Sequence, residues 1–409
     1  MEKKCRFCNE NLDILFANLG SSPLSNSFLK KSDLIKKEPI FPLHVYVCRN
    51  CFLVQLEKFK NPDKIFRDYA YFSSYSETWI NHASKYVDKV IDKFELDKNN
   101  FVIEIASNDG YLLQNFKNKD IPCLGIEPAL NIAKVAKKKG INTIVEFFGT
   151  KIAKELSFKQ QKADLLIGNN VLAHVPDIND FVKGMEILLK SNGIITVEFP
   201  HLMKIIEENQ FDTIYHEHFS YFSLYTVMKI FEEHNLKIFD VEKLQTHGGS
   251  LRVYATHKKN TTHIINNEVK KILEKEIEFG IKDISTYTNF QNKIIKVKKQ
   301  LLDFVDNAKK EKKKIVCYGA AAKGNTLLNY CNIGLDYIDY VVDRSSYKQG
   351  LYLPGTHIPI KNPDEIKRTK PDYVLILPWN LQEEISNQMN FIKEWDGKFV
   401  IPIPEVKIQ

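Results

Sequence analysis

The 409-residue sequence contains no apolar run near the roughly 20 residues that a membrane-spanning helix requires. Its opening stretch, Met1 to Arg6, is charged and lacks the apolar segment of a secretory signal, so a cytoplasmic protein without a membrane partner is expected. No internal repeat is present. The Gly-x-Gly-x-x-Gly fingerprint of nicotinamide-binding folds is missing, and so is a pair of histidines at the i, i+4 spacing of zinc proteases. A basic strip interleaved with aromatics, as in RNA-binding surfaces, is also lacking, so no nucleic-acid partner is expected. Charge of one sign does not dominate: 58 Lys and Arg face 51 Asp and Glu, giving +7. The densest basic run, Lys309 to Lys314, reads as a solvated face, and the excess favours at most an anionic substrate.

What is present is ordinary globular composition and a strong rhythm of elements. Residues 1 to about 60 show little helical periodicity, whereas 62–98 turn helical, with Trp79, Tyr86, Val87, Val90 and Ile91 at amphipathic spacing. Short apolar strands are then predicted at Phe101–Ile105, Cys123–Ile126, Thr143–Phe147, Asp164–Ile167 and Ile194–Phe199. Helices are predicted to begin near Gly110, Pro128, Thr150 and Ile178. Such alternation predicts a parallel sheet covered on both faces, which Lys237–Val241 and Ser250–Thr256 would extend to seven strands. After a Lys- and Glu-rich helical stretch from about Asn266 to Lys313, a second alternating unit is expected. Its strands are Ile315–Tyr318, Ile338–Val342, Tyr373–Leu377 and Phe399–Ile401, with helices at Gly324–Tyr330 and Leu381–Ile392. The fold class is therefore α/β, with two doubly wound domains behind a small cysteine module.

Seven cysteines occur, and Cys123, Cys317 and Cys331 read as buried structural thiols. The other four form Cys5-x-x-Cys8 and Cys48-x-x-Cys51, each a turn that sets two sulfurs on one side. In a reducing compartment this pattern predicts one tetrahedral zinc rather than disulfides. Four thiolates leave no open coordination position, so the metal is expected to be structural.

The segment Glu104-Ile105-Ala106-Ser107-Asn108-Asp109-Gly110 ends one strand and opens a helix, and it resembles the donor loop of class I methyltransferases. About twenty residues on, Glu127-Pro128 ends the next strand with a carboxylate able to accept both hydrogens of a ribose diol. Asn169-Asn170 ends the fourth strand on the same edge, which completes an expected S-adenosylmethionine site. Beyond the fifth strand lies Tyr215-His216-Glu217-His218-Phe219-Ser220-Tyr221-Phe222, dense in proton-moving groups, and His174 follows the fourth strand. Active sites of doubly wound sheets lie beyond these C-terminal strand ends.

Taken together, the two C-x-x-C pairs, Asn108-Asp109-Gly110, Tyr215-His216-Glu217-His218, Tyr318–Thr326, Val342-Asp343-Arg344, Lys348-Gln349-Gly350 and Pro354–Pro359 resemble one family along essentially the whole chain. It is the family of sugar C-methyltransferases that act on nucleotide-linked 4-keto deoxysugars. One departure is that Ala106-Ser107 stands where that family usually has Gly-Cys.

The resemblance implies a zinc module over 1–65, a methyltransferase domain over 66–260, a helical connector over 261–312 and a Rossmann-like substrate domain over 313–409. It implies an enzyme that deprotonates carbon 3 of a nucleotide-diphosphate sugar beside the ketone and methylates the resulting enolate; a monomer is expected. His218 is then the base, with a pKa suited to neutrality, and Glu217 orients it or stabilises its cation. Tyr215 and His174 are the implied donors to the enolate oxygen, and Tyr69 closes over the site. His247 and Gly248 are expected to line the sugar pocket. Gly319 to Asn325 is expected to receive the diphosphate with Lys323 adding charge, and Asp343 and Lys348 are expected among the substrate-binding residues. Oxygen or nitrogen methylation, an RNA-binding methyltransferase and an NAD-dependent sugar oxidoreductase remain the competing readings.

Overall fold

The computed structural model describes residues 3–57, 73–75 and 77–409. Three strands lie near the N-terminus: β1 (Ile14–Ser22), β2 (Phe41–Val47) and β3 (Val54–Leu56), antiparallel in sequence order. Helix α1 (Glu77–Phe94) follows, with Tyr86, Val87 and Val90 buried along one face.

The alternation predicted next is observed. In chain order it runs β4 (Val102–Ile105), α2 (Leu113–Lys117), β5 (Cys123–Ile126), α3 (Leu130–Lys138), β6 (Thr143–Ile144) and α4 (Thr150–Phe158). Then come β7 (Ala163–Asn169), α5 (Ile178–Leu188), β8 (Leu189–Pro200), α6 (Leu202–Glu207), β9 (Ser220–Tyr221) and α7 (Leu224–Glu233). The hairpin β10 (Leu236–Leu244) and β11 (Ser250–His257) closes the unit. The seven-stranded sheet has the order β10-β11-β8-β7-β4-β5-β6, with β11 antiparallel to both neighbours and the rest parallel. Strand β4 is buried at every position, because helices cover both faces and an alternating pattern would place polar groups in a core. Two predicted bounds change. The edge strand expected at Thr143–Phe147 stops at Ile144, and Phe147 is 39% exposed, because beyond Ile144 no strand partner remains. The helix expected near Gly110 starts at Leu113, since Gly110 adopts φ +76 in the preceding turn.

Strand β9 does not join this sheet. It pairs with β3, so the strand just after the histidine cluster is the fourth member of the N-terminal sheet.

Helices α8 (Asn267–Phe279), α9 (Ile284–Thr288) and α10 (Phe290–Lys310) lead to the last sheet. That sheet comprises β12 (Ile315–Tyr318), β13 (Ile338–Val342), β14 (Ile360–Lys361), β15 (Tyr373–Ile376), β16 (Lys398–Ile401) and β17 (Lys407–Ile408). Its order is β14-β13-β12-β15-β16-β17. Helix Ala322–Cys331 leaves β12, and the helix expected over Leu381–Ile392 is two short pieces, Gln382–Gln388 and Asn390–Trp395. The connector is no loose linker. Ile294, Val297, Leu301 and Val305 of α10 form a fully buried stripe at helical spacing, within one apolar core that includes Phe16 and Val45 on one side and Val316 and Leu375 on the other. Each such side chain contributes about 1.5–3 kcal/mol on burial, so α10 fixes the first and last sheets together.

Candidate active site

The four cysteines of the N-terminal module converge. Cys5 and Cys51 sulfurs lie 3.6 Å apart, Cys8 and Cys48 sulfurs 3.4 Å, and all four fall within 4.8 Å of one another. A tetrahedral zinc with bonds of about 2.3 Å spaces its sulfurs by about 3.8 Å, so the donor set fits the ion. Each knuckle is a turn closed by a backbone bond, Asn9 N–H to the Cys5 carbonyl and Phe52 N–H to the Cys48 carbonyl. Asn9 and Phe52 adopt φ of 61° and 59°, the left-handed conformation these turns need.

At the ends of β4 and β5 the structure brings together the residues expected to hold the methyl donor. Glu104, Asp109 and Glu127 are buried side by side. Burial pushes the Glu104 carboxyl well above its usual range, and the charges of Glu127 and Asp109 push it further. Burial also raises Glu127, although its oxygens accept from Asn108 N–H (2.9 Å) and Ala129 N–H (2.8 Å). Among the described residues, Glu104 Oε2, Ser107 Oγ, Asp109 Oδ1, Asn169 Oδ1 and both amide atoms of Asn170 are buried without a hydrogen-bond partner. Buried polar atoms left in this way call for a ligand. Three clustered carboxylates favour one that is cationic, as the sulfonium and ammonium of S-adenosylmethionine are. Pro128 follows Glu127, half-buried, at the start of the turn into α3.

The loop itself is tightly built. Ala106 and Asn108 lie at φ 53° and 50°, and a Cβ at Gly125 would strike Ser107 Oγ. Asn108 and Asp109 also hold the chain entering α1: Asn108 Oδ1 accepts from Ser73 N–H at 3.0 Å, and Ser74 Oγ donates to Asp109 Oδ2. Lys139 pairs with the same Asp109 oxygen at 3.0 Å. These two residues therefore tie the loop after β4 to the chain that enters α1.

The proton-moving cluster is assembled from two loops. His218 Nδ1–H donates to the Thr213 carbonyl (2.8 Å), so its lone pair lies on Nε2, which meets the Tyr215 hydroxyl at 2.8 Å. His174 packs against it with ring centres 4.8 Å apart, and His174 Nδ1–H donates to the Glu217 carbonyl at 2.8 Å. Burial, reinforced by His174, pushes His218 well below its ordinary pKa rather than leaving it near neutrality, and burial takes His174 to about 4. Both are neutral at physiological pH. Two expectations change as a result. Thr213, not Glu217, orients the His218 ring, because the Glu217 carboxylate accepts instead from Asn26 Nδ2 at 2.7 Å. A neutral His174 protonated at Nδ1 presents an acceptor at Nε2, so it is no donor to an enolate oxygen. His216 turns the other way, with Nε2 toward the Phe41 and Pro42 carbonyls. Tyr69 lies outside the described residues.

The C-terminal unit reaches the same cleft. Lys323 Nζ donates to the His247 carbonyl at 3.3 Å and lies 4.8 Å over the Trp379 ring. Burial lowers its pKa, while the buried Asp212, which accepts from Trp379 Nε1 at 2.7 Å, raises it. His247, at φ 56°, faces Trp79 at 5.2 Å, and Gly248 is packed beneath Trp379, which a Cβ there would strike. Other residues expected here are spent on the fold. Gly319 N–H donates to the Val342 carbonyl, and Asp343 accepts from Ala320 N–H and Ser345 N–H, each at 2.8 Å. Lys348 donates to the Ala320 carbonyl, and Asn325 Nδ2 to the Ser25 carbonyl. An anion received at this turn would meet the Asp343 carboxylate, whereas Lys323 sits close enough to His218 for its charge to act there.

Sequence reasoning missed Glu198, fully buried near the end of β8. It pairs with Arg252 (2.8 Å), His82 (3.0 Å) and Thr246 Oγ1 (2.8 Å), tying α1 to the sheet beside His247. Burial alone would raise its pKa, but the His82 bond and the Arg252 charge hold it at about 2. A carboxylate inside the apolar run Ile194–Phe199 was the available signal.

Three family models match the chain in order: a zinc binding domain over residues 5–66, a methyltransferase domain over 79–241 and a C-methyltransferase C-terminal domain over 245–404. Together with the seven-stranded sheet and its donor cleft, they make the chain an S-adenosylmethionine-dependent methyltransferase with a zinc-binding module. The C-methyltransferase NovU of Streptomyces niveus is 36% identical over 405 residues, 99% of this chain and 96% of that protein. The chain belongs to the NovU-like C-methyltransferase family. A ubiquinone biosynthesis O-methyltransferase of Bartonella quintana (strain Toulouse) is 27% identical over 97 residues, covering 24% of this chain and 39% of its own. Among solved structures, magnesium protoporphyrin IX methyltransferase of Synechocystis PCC 6803 with bound SAH has a TM-score of 0.34 at 13% identity. It covers 44% of this chain and 81% of its own, a likeness too low to carry weight.

Proposed function

We propose that this C-methyltransferase methylates carbon 3 of a nucleotide-linked 4-keto deoxysugar, acting as a cytoplasmic monomer. The observation that carries the reading is the Tyr215–His218 pair, whose 2.8 Å bond sets a phenol against the lone-pair nitrogen of a buried, neutral imidazole. In this reading residues 1–65 hold zinc, 66–260 bind the donor and carry the chemistry, 261–312 connect, and 313–409 present Lys323 to the nucleotide sugar.

A ketone at carbon 4 acidifies the proton on carbon 3. We assign its removal to the Tyr215 oxygen, as the phenol proton moves to His218 Nε2. The C–H bond breaks, a new O–H bond forms on Tyr215, and the imidazolium holds the displaced proton. The Thr213 carbonyl keeps Nδ1 protonated throughout, so the proton can be received only at Nε2. Lys323, which carries positive charge into the cleft, favours the developing enolate or the adjoining diphosphate. S-adenosylmethionine, when bound, would supply the methyl group to carbon 3 and be left as S-adenosylhomocysteine, and Glu104, Glu127 and Asn170 would hold it. The imidazolium then returns its proton to solvent.

Incubating the protein with donor and a panel of nucleotide-linked 4-keto sugars and their reduced, 4-hydroxy counterparts, with products read by mass spectrometry, tests this reading. A gain of one methyl group on a keto sugar, and on none of the reduced sugars, is the expected result. Methylation that ignores the ketone would contradict it.

A further inference from the structure

The first zinc knuckle carries a charged residue that the chemistry above does not use. Arg6 lies between the ligands Cys5 and Cys8, with its head group turned inward. Its backbone N–H and Nε both donate to Gln55 Oε1, at 2.9 and 3.2 Å. Nη2 donates to the Leu56 carbonyl at 2.5 Å and Nη1 to the Pro176 carbonyl at 3.3 Å, while the guanidinium carbon lies 5.5 Å from the Phe219 ring centre. Gln55 closes the circuit by donating from Nε2 to Cys5 Sγ at 3.1 Å.

These contacts fall on both loops of the candidate catalytic cluster. Pro176 lies just after His174, and Phe219 adjoins His218. The loops meet at this point: Phe219 N–H donates to the Ala173 carbonyl (2.7 Å), and Leu56 N–H to the Phe219 carbonyl (3.0 Å). The guanidinium therefore bridges the chain beyond His174 to the strand that pairs beside His218. Asn179 adds a second tie, donating to the carbonyls of Arg6 and Phe7 at 3.3 and 2.9 Å.

All the acceptors of the Arg6 head group are neutral, which leaves much of the cost of desolvating a cation unmet. The missing counter-charge is next door. Four thiolates around a divalent zinc sum to a net negative centre, and Gln55 links that centre to the guanidinium through Cys5. Lysine could not serve in the same way, because only the planar fork reaches Leu56 and Pro176 at once.

We propose that Arg6 is a positioning residue: the zinc–thiolate centre holds its guanidinium, and its fork fixes the His174 and His218 loops at their working separation. This rests on the reading that the Tyr215–His218 pair carries the proton transfer. The zinc module thus acts on turnover without touching substrate, and a displacement of about 1 Å between the loops costs on the order of 10²-fold in rate.

The test uses Arg6→Lys in the full, zinc-loaded chain. One zinc per chain and a donor affinity within about twofold of wild type are expected, with kcat lower by about 10²-fold and KM little changed. Imidazole ¹H–¹⁵N spectra supply a second readout. In wild type His174 and His218 each show the Nδ1–H form, and in the variant that signature gives way to exchanging tautomers. Should Arg6→Lys not fold, Gln55→Met breaks the link between Cys5 and the guanidinium, with a loss of about tenfold in kcat and the same spectral change expected. Wild-type kcat with unchanged imidazole spectra would overturn the proposal, as would a fall in kcat matched by equal losses of zinc and donor binding. If wild-type protein methylates no keto sugar, the proposed substrate is wrong, and the spectra alone then decide the role of Arg6.

Discussion

Replacing Glu127 with alanine removes a carboxylate that anchors its own loop and, in the proposed reading, accepts the donor's ribose diol. In the free protein its oxygens accept from Asn108 N–H at 2.9 Å and Ala129 N–H at 2.8 Å, anchoring a loop whose Asn108 already sits at φ 50°. Hydrogen bonds to a charged acceptor are worth about 1.5–3 kcal/mol each, so the variant loses about 3–6 kcal/mol of local stability before solvent refills the gap. Each oxygen retains a further lone pair, and the two together can accept a ribose diol. Losing that contact costs donor affinity tenfold to a hundredfold, on the order of 1.5–3 kcal/mol. Glu127→Gln separates the two effects, since it preserves shape but turns one acceptor into a donor. Calorimetric titration with S-adenosylhomocysteine, alongside thermal denaturation of both variants, reads the two quantities independently. A folded Glu127→Ala protein with unchanged donor affinity would refute the placement of the ribose at Glu127.

Other outcomes follow from the same geometry. His218→Ala is expected to lower turnover by about 10²–10⁴-fold while donor binding stays within about twofold, as measured by single-turnover kinetics and titration. Ala106→Gly relieves a left-handed alanine at φ 53° and should raise the melting temperature by a few degrees, corresponding to about 1 kcal/mol; a lower melting temperature would show that the strain is illusory. Metal analysis should find one zinc per chain, and Cys48→Ser should lose it and destabilise the four-stranded β1-β2-β3-β9 sheet. Acid should weaken the fold. His174 and His247 are depressed to about 4, so the stability they confer is complete above the ordinary histidine range near 6.5 and is lost as pH falls toward 4. The slope is about 1.4 kcal/mol per pH unit for each unmatched proton. Melting temperatures that do not change between pH 7.5 and 5 would contradict their neutral burial.

Much of the fold was legible because parallel strands buried on both faces are written as unbroken apolar runs. Val102–Ile105, Cys123–Ile126 and Ile315–Tyr318 are found where such runs predict them. Edges were less legible. Strand β8 begins at Leu189, ahead of the predicted Ile194, through the polar stretch Lys190–Gly193, which pattern alone reads as a turn. The cysteine cluster is legible, and Glu127 stands out as a candidate, because their spacing is local to one turn or one strand-helix unit. Asn26 and Arg6 were not, since their partners Glu217 and Pro176 lie 191 and 170 positions away and only the packed sheets bring them together. The pKa of His218 was misjudged for a related reason. Sequence shows a histidine among polar neighbours, whereas the fold buries it against the rings of His174, Tyr215 and Tyr221.

Methyl transfer to carbon is tested most directly by giving the enzyme a donor labelled with ¹³C at the methyl group and a nucleotide-linked 4-keto deoxysugar. The NMR spectrum of the product should show the labelled methyl at a chemical shift typical of carbon attachment, with correlations to the ring carbon beside the ketone. A labelled methyl resonating as a methoxy or N-methyl group would contradict carbon alkylation by the Tyr215–His218 pair.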